Sequence, residues 1–348
     1  MKRIAFFQQD LGAGGIQKSL VNLLRAWDYS QCEAELFLFE EGCFFEGGLP
    51  EQLKVHVLSK PPRMLSFVPF DTAKKCFHYD LSEYGEYDVA VDFNSYQLSC
   101  ALAALSLNAK KRVMWIHNDV EIKLRNEWKY RVLWHCFKGK FRCFDLFVPV
   151  SDALKEPFRK ASGRHDAKFL TIPNYVDVKE IRLKESEPLS DPIPEETCLN
   201  FAALGRLCHQ KGYDIMIDLF AEACSERDDL RLYIIGDGPD RQMLEKRADT
   251  AAPGKIRFLG ARKNPYAILH AMDAFISTSR YEGQGMNILE AEAIGLPVYC
   301  PKHLEKYCEG FTGYDDLLPA ILAAKKTEKK PDDLQEYNKR ILRAVYEL

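Results

Sequence analysis

Two glutamates eight residues apart, Glu282 and Glu290, enclose a pair of glycines in Tyr281-Glu282-Gly283-Gln284-Gly285-Met286-Asn287-Ile288-Leu289-Glu290. A carboxylate accepts hydrogen bonds and does not bind phosphate, so its natural partners are hydroxyls such as those of a sugar or a ribose. The glycines let the backbone turn tightly and approach a ligand closely. A helix that begins just after them presents unpaired N–H groups and the positive end of its dipole to an anion. An anion cradle with flanking hydroxyl acceptors suits a nucleotide-sugar. The plain alternative is a βαβ crossover with surface glutamates.

The elements needed to hold these groups are legible on both sides. Met272 to Ser277 is a short apolar run with the length of a buried strand. Asn287 to Ile294 reads as a helix, stopped by Gly295 with Pro297 beyond it. Near the start of the chain, Arg3 to Phe7 reads as a strand, Gly12-Ala13-Gly14-Gly15 as a glycine loop, and Ile16 to Trp27 as an amphipathic helix. This is a Rossmann-like opening. A dinucleotide fingerprint needs a third glycine where the chain has Gln17, which argues against an NAD enzyme. Further strands are expected at Glu35–Phe39, Val55–Leu58, Asp88–Phe93, Arg112–Ile116, Leu146–Val150, Leu199–Leu204, Leu232–Ile235 and Ile256–Gly260. The segment from Lys60 to Asp80 receives no assignment. The strand ending at Ile116 is followed by His117-Asn118-Asp119, a polar triplet where open α/β sheets bind ligands.

The stretch from Glu282 to Val298 resembles the Glu-x7-Glu signature of the retaining glycosyltransferases of family 4, with Gln284 at a usually aromatic or aliphatic position. Gly205-Arg206-Leu207-Cys208-His209-Gln210-Lys211-Gly212 resembles that family's Gly-Arg-Leu-x-x-x-Lys-Gly. Ile172-Pro173-Asn174-Tyr175-Val176-Asp177 resembles its Ile-Pro-Asn-Gly-Val-Asp, with Tyr175 in place of glycine. The resemblance covers nearly the whole chain and is strongest from 199 to 298. After Pro297 the sequence departs from it, with Cys300 to Gly310 replacing a longer Gly-Gly loop.

The resemblance implies the GT-B fold: two Rossmann-like α/β domains facing a central cleft. An acceptor domain is expected at 1–180, a linker at 181–197 and a nucleotide-sugar domain at 198–330, with a final helix at 331–348 returning to the first domain. It implies that Arg206 and Lys211 hold the donor pyrophosphate, where fixed cations stabilise the growing leaving-group charge. The amides around Met286, Asn287 and Ile288, with Gly285, complete that cradle. Glu290 accepts from the ribose, and Glu282 and His117 orient the sugar. Gly15 lies in the loop facing the cleft, Gly205 lies beside the cations, and Leu259 lies in the base pocket. Retention of anomeric configuration and independence of metal and cofactor are expectations of the same kind. Front-side transfer assisted by the leaving phosphate is the default mechanism. The donor is expected to be a UDP-sugar, and the acceptor a glycan or lipid-linked acceptor of the cell envelope. Three other readings fit the sequence: a GT-B sugar-nucleotide epimerase, a phosphorylase, for which no cofactor lysine is apparent, and a non-catalytic nucleotide-sugar-binding subunit.

The 348 residues allow two domains with ample core, and a net charge of −3 with 47% hydrophobic residues describes a globular chain. The 11 cysteines are scattered with no Cys-x-x-Cys, which suggests buried free thiols in a reducing compartment rather than a disulfide framework. No signal peptide or apolar span is recognised, so a cytoplasmic protein is expected. Residues 121–144 interleave basic side chains with Trp128, Tyr130, Trp134, Phe137, Phe141 and Phe144. That composition suits a helix lying on an anionic membrane at its inner face, or one packing its aromatics into the core. Nucleic acid is not expected as a partner.

Overall fold

The computed structural model describes residues 1–189, 194–308 and 311–348. The chain divides into two compact units, one of residues 1–175 and 336–348 and one of residues 176–335. Among the described residues each unit holds one parallel β-sheet.

In the first unit the strands are β1 (Lys2–Phe7), β2 (Cys32–Leu38), β3 (Lys54–Val57), β4 (Tyr87–Asp92), β5 (Ala109–Ile116) and β6 (Leu146–Pro149). Their order is β3-β2-β1-β4-β5-β6. The sequence explains why β1 is central: Ile4, Ala5, Phe6 and Phe7 are all fully buried, as a strand covered on both faces requires. Phe6 packs edge-on to Trp27 at 5.6 Å, and Phe7 stacks on Phe37 at 4.8 Å. The last helix, Gln335–Tyr346, joins this core through Tyr346, whose ring meets Trp27 at 4.9 Å. The Tyr346 hydroxyl accepts from the Asp28 amide at 2.7 Å, and Lys2 Nζ donates to the Tyr346 carbonyl at 2.9 Å.

In the second unit the strands are β7 (Leu199–Leu204), β8 (Leu230–Ile235), β9 (Ile256–Gly260), β10 (Ala274–Ile276) and β11 (Val298–Tyr299), in the order β11-β10-β7-β8-β9. Phe201, Ile217, Phe220, Leu232, Ile234, Ile276 and Ile321 are fully buried in its core.

Several expectations are adjusted. The first unit ends at Tyr175, not at 180, and the supposed linker begins with the helix Val178–Glu185. That helix packs within the second unit: Arg182 donates to the Ala293 carbonyl at 2.6 Å, and the Lys184 carbonyl accepts from Asn264 at 2.9 Å. Its short run of charged residues hid a single buried anchor, Ile181. The rest of the expected linker includes 190–193, outside the described residues. The unassigned stretch after Lys60 contains a 3-10 turn, Arg63–Phe67, and a helix, Phe70–Cys76. The 121–144 segment is two helices, Val120–Asn126 and Trp128–Phe137, followed by a 3-10 turn, Lys138–Cys143. Five of the 11 cysteines are buried, fewer than the scattered-thiol reading implied, and Cys76 is exposed.

Candidate functional site

The chain leaves β7, adds β8 and β9 on one side, then crosses back to place β10 on the other side of β7. This reversal opens a crevice at the carboxyl ends of β7 and β10, where open α/β sheets bind ligands. The loop after β7 is Gly205–Gly212 and the loop after β10 is Ser277–Gly285. Arg206, Lys211, Glu282, Gly285 and the start of the helix Met286–Ile294 are therefore brought together by topology.

The two loops are tied to each other. The Arg280 guanidinium forks onto Asp214 with Nη1–Oδ1 at 2.8 Å and Nη2–Oδ2 at 2.6 Å. This pairing holds the Asp214 carboxyl down at about 2. Arg280 also donates to the His209 carbonyl, and its own amide donates to Gln210 O. Thr278 Oγ1 donates to Gly212 O at 2.9 Å, and Asn287 Nδ2 donates to Leu204 O at 2.8 Å. Gly212 must be glycine: its φ is +65°, and a Cβ there would sit 2.2 Å from the Thr278 carbonyl oxygen.

Glu282 is buried, and a buried carboxylate needs partners. Lys211 Nζ supplies one at 2.7 Å. Glu290, also buried, accepts from the Tyr266 hydroxyl at 3.2 Å. Burial and Glu290 drive the Tyr266 hydroxyl well above its usual range, so it stays a donor. Arg206 is exposed and makes no ion pair with a described residue, so its charge is available to an incoming anion. A narrow cleft beside these groups is lined by Leu204, Lys211, Tyr213, Ser277, Ser279 and Asn287.

The amide cradle differs from the expectation of three open donors. The Met286 amide donates to Gln284 O at 2.8 Å, and the Ile288 amide donates to Gly285 O at 2.9 Å and to Asn287 Oδ1 at 3.1 Å. A tight turn centred on Gly285 lets the helix cap itself with backbone. Gly285 is packed closely: a Cβ would lie 2.9 Å from Ile288 Cδ1 and 3.2 Å from Cys308 Sγ. The Cys308 thiol, pushed up to about 12 by burial, sits neutral beneath this loop. Leu259 is in β9, at the same edge of the sheet but beyond β8. Gly205, at φ +153°, lies where a Cβ would meet Tyr213 Oη at 3.3 Å and Lys211 Cε at 3.4 Å.

Gly15 and His117 belong to the first unit. Gly15 is the first residue of the helix Gly15–Arg25, and a Cβ there would meet nothing within 4 Å. His117 follows β5, is buried, and donates from Nε2 to the Phe93 carbonyl at 2.9 Å. That bond leaves Nδ1 as an acceptor. Burial holds the imidazole down at about 3, so it is neutral.

Sequence reading did not find Tyr266, Cys308 or the Arg280–Asp214 clasp. Tyr266 lies 24 residues from Glu290, and Arg280 lies 66 from Asp214, so no local pattern links them. In the 121–144 segment, Trp134, Lys140, Phe141 and Phe144 are buried, whereas Trp128 and Val132 are exposed. Among the described residues no helix is long and apolar enough to cross a membrane.

The family model for glycosyl transferases group 1 matches residues 193–340, and that for glycosyltransferase family 4 matches residues 13–180. The lipopolysaccharide core biosynthesis mannosyltransferase LpsB of Rhizobium meliloti is 30% identical over 176 residues, which is 47% of this chain and 50% of that protein. The alpha-monoglucosyldiacylglycerol synthase of Acholeplasma laidlawii is 30% identical over 165 residues, 45% of this chain and 41% of that protein. The chain thus spans half or less of the length of these curated relatives. The Anabaena protein HepE, solved in complex with UDP and glucose, superposes with a TM-score of 0.61 at 19% identity, covering 99% of this chain and 90% of that one.

Proposed function

This chain belongs to the group 1 glycosyltransferases of the GT-B fold, and from that premise we propose that it moves a sugar from a nucleoside-diphosphate sugar to a glycan or lipid-linked acceptor. The observation that carries the reading is the convergence, at one sheet edge, of two cations and two buried carboxylates: Arg206, Lys211, Glu282 and Glu290. Cations answer a pyrophosphate and carboxylates answer hydroxyls.

In this reading Arg206 and Lys211 neutralise the pyrophosphate and the charge that grows on it as the glycosidic bond breaks. Glu290, held by Tyr266, accepts from the ribose. Glu282 accepts from the sugar and shares Lys211 with the phosphate. In the first unit His117 is neutral and carries Nδ1 as an acceptor suited to a hydroxyl. The helix Met286–Ile294 adds its positive end. Leu259 and its neighbours seat the base. Transfer proceeds on the front face with the leaving phosphate as base, so configuration is retained and no metal is needed. UDP is the favoured nucleotide, supported by the UDP bound to the similarly folded HepE. An acceptor sugar finds hydroxyl acceptors in a first-unit pocket of about 280 Å³ lined by Asp10, Gly12, Glu41 and Phe44. Envelope glycan or glycolipid synthesis is the setting, supported by the likeness to the lipopolysaccharide core biosynthesis mannosyltransferase LpsB and to the alpha-monoglucosyldiacylglycerol synthase.

The test is turnover of UDP-sugars in excess EDTA, with and without a panel of glycan and glycolipid acceptors. The expected result is UDP release that needs an acceptor, with a product of unchanged anomeric configuration by NMR. Free altered sugar without an acceptor would instead identify an epimerase, and nucleotide binding without turnover across the panel would identify a binding subunit.

A further inference from the structure

Tyr213 opens the helix Tyr213–Glu226, directly after the Gly205–Gly212 loop. Its ring is only 2% exposed and belongs to the core of the second unit, with Leu207, Met216 and Ile217. Its hydroxyl reaches the carboxyl end of β7. A Cβ placed on Gly205 would meet Tyr213 Oη at 3.3 Å and Lys211 Cε at 3.4 Å, so the two side chains converge over the α-carbon of Gly205. Both line the narrow cleft that also contains Ser277, Ser279 and Asn287.

A buried tyrosine hydroxyl normally finds a hydrogen-bond partner, as Tyr266 does on Glu290. Tyr213 Oη makes no hydrogen bond to any other described residue. Its neighbours are engaged with one another. Glu282 Oε1 accepts from Lys211 at 2.7 Å, the Leu204 carbonyl accepts from Asn287 at 2.8 Å, and the Ser277 and Ser279 hydroxyls lie 3.4 Å apart. Burial, then the Cys208 thiol and Glu282, push the Tyr213 hydroxyl far above its usual range, so it keeps its proton and acts as a donor. A donor held beside a lysine, with no acceptor of its own, is matched by an anion oxygen that both can reach.

Building on the donor site proposed above, we infer that Tyr213 is a further donor-binding residue, whose hydroxyl, beside Lys211, hydrogen-bonds the β-phosphate of the nucleoside diphosphate. Lys211 is shared with Glu282, the carboxylate assigned to the sugar, so the phosphate at this point is the one next to the sugar. That phosphate carries the growing leaving-group charge, and a donor fixed by a buried ring meets it without reorganising. The unpaired hydroxyl is a cost to the unliganded fold that the donor phosphate offsets.

The test is titration calorimetry of the full chain with a nucleoside diphosphate and its monophosphate, using the base that the parent prefers among UDP, GDP and ADP. The parent, Tyr213→Phe and Lys211→Ala are compared, beside thermal unfolding without ligand. Tyr213→Phe keeps the ring and removes only the hydroxyl. Its diphosphate affinity is expected to fall about ten-fold, the worth of a hydrogen bond to a charged group. Its monophosphate affinity is expected to stay at the parent's value, because that ligand has no β-phosphate. Its unfolding midpoint is expected to match or exceed the parent's, since an unpaired buried hydroxyl has been removed. Equal losses for the two ligands would overturn the assignment, and so would a lowered midpoint, which would show that the hydroxyl serves the fold. If Lys211→Ala weakens diphosphate binding and Tyr213→Phe does not, the donor site stands and Tyr213 is no part of it. If the parent binds no nucleotide, the donor site itself is refuted and this contact with it.

Discussion

Lys211 Nζ lies 2.7 Å from Glu282 Oε1, so a cation from the loop after β7 and a carboxylate from the loop after β10 are paired. The pair couples the two halves of the proposed donor site. Lys211→Ala is expected to weaken binding of the bare nucleoside diphosphate. Glu282→Gln is expected to leave that binding nearly intact and lower kcat by about 10²-fold, the order seen when one transition-state contact is lost. Calorimetry with UDP and turnover measurements separate the two. Equal losses in both measurements for both variants would refute the division of roles.

Among the described residues Arg206 makes no ion pair, so its removal should cost little stability. Arg206→Ala is predicted to weaken UDP binding about ten-fold or more, the worth of a charge-assisted hydrogen bond, with an unfolding midpoint close to the parent's. Titration calorimetry across UDP, GDP, ADP and NAD checks this and names the base.

Tyr266 reaches the site through Glu290, at 3.2 Å, and acts as a positioning residue. Tyr266→Phe removes one hydroxyl and keeps the ring. The expected result is a rise in donor KM of several-fold, about 0.5–1.5 kcal/mol, with kcat unchanged. A loss confined to kcat would place the tyrosine elsewhere in the reaction.

Gly212 holds the two loops within carbonyl contact. Gly212→Ala meets both a φ of +65° and a carbonyl oxygen 2.2 Å from the new Cβ. Strain and overpacking together should destabilise the second unit by roughly 2–4 kcal/mol and abolish UDP binding. Denaturant unfolding followed by a probe in that unit measures it.

His117 is neutral because burial holds its pKa at about 3. The unfolded chain takes up this proton near pH 6.5 and the folded chain only near 3, so stability is present above 6.5 and declines as pH falls through that window. His117→Gln should flatten the acid limb between pH 6.5 and 3 by an amount on the order of a few kcal/mol. The pH–rate profile should show no inflection from His117 above pH 5. An inflection near 6.5 that disappears in His117→Gln would show the imidazole to be titrating in the working enzyme.

The sequence by itself determined the elements of the donor unit. Apolar runs set β7, β8 and β9, and Gly295 stops the helix Met286–Ile294 at φ +88°. The spacing of Arg206, Lys211, Glu282 and Glu290 marked the candidate groups, because each lies within a few residues of a strand end or helix start. These are local signals, written in periodicity and in glycines. Only the tertiary structure decided what the groups do to one another. The Lys211–Glu282 pair, the Arg280–Asp214 clasp and the Tyr266–Glu290 bond join residues 71, 66 and 24 apart, and strand order alone brings them together. It also decided which aromatics of 121–144 face inward, since composition is blind to the way a helix is turned. Trp134 and Phe141 pack at 5.2 Å in the core while Trp128 stays outside, a difference of rotation about one axis and not of residue type.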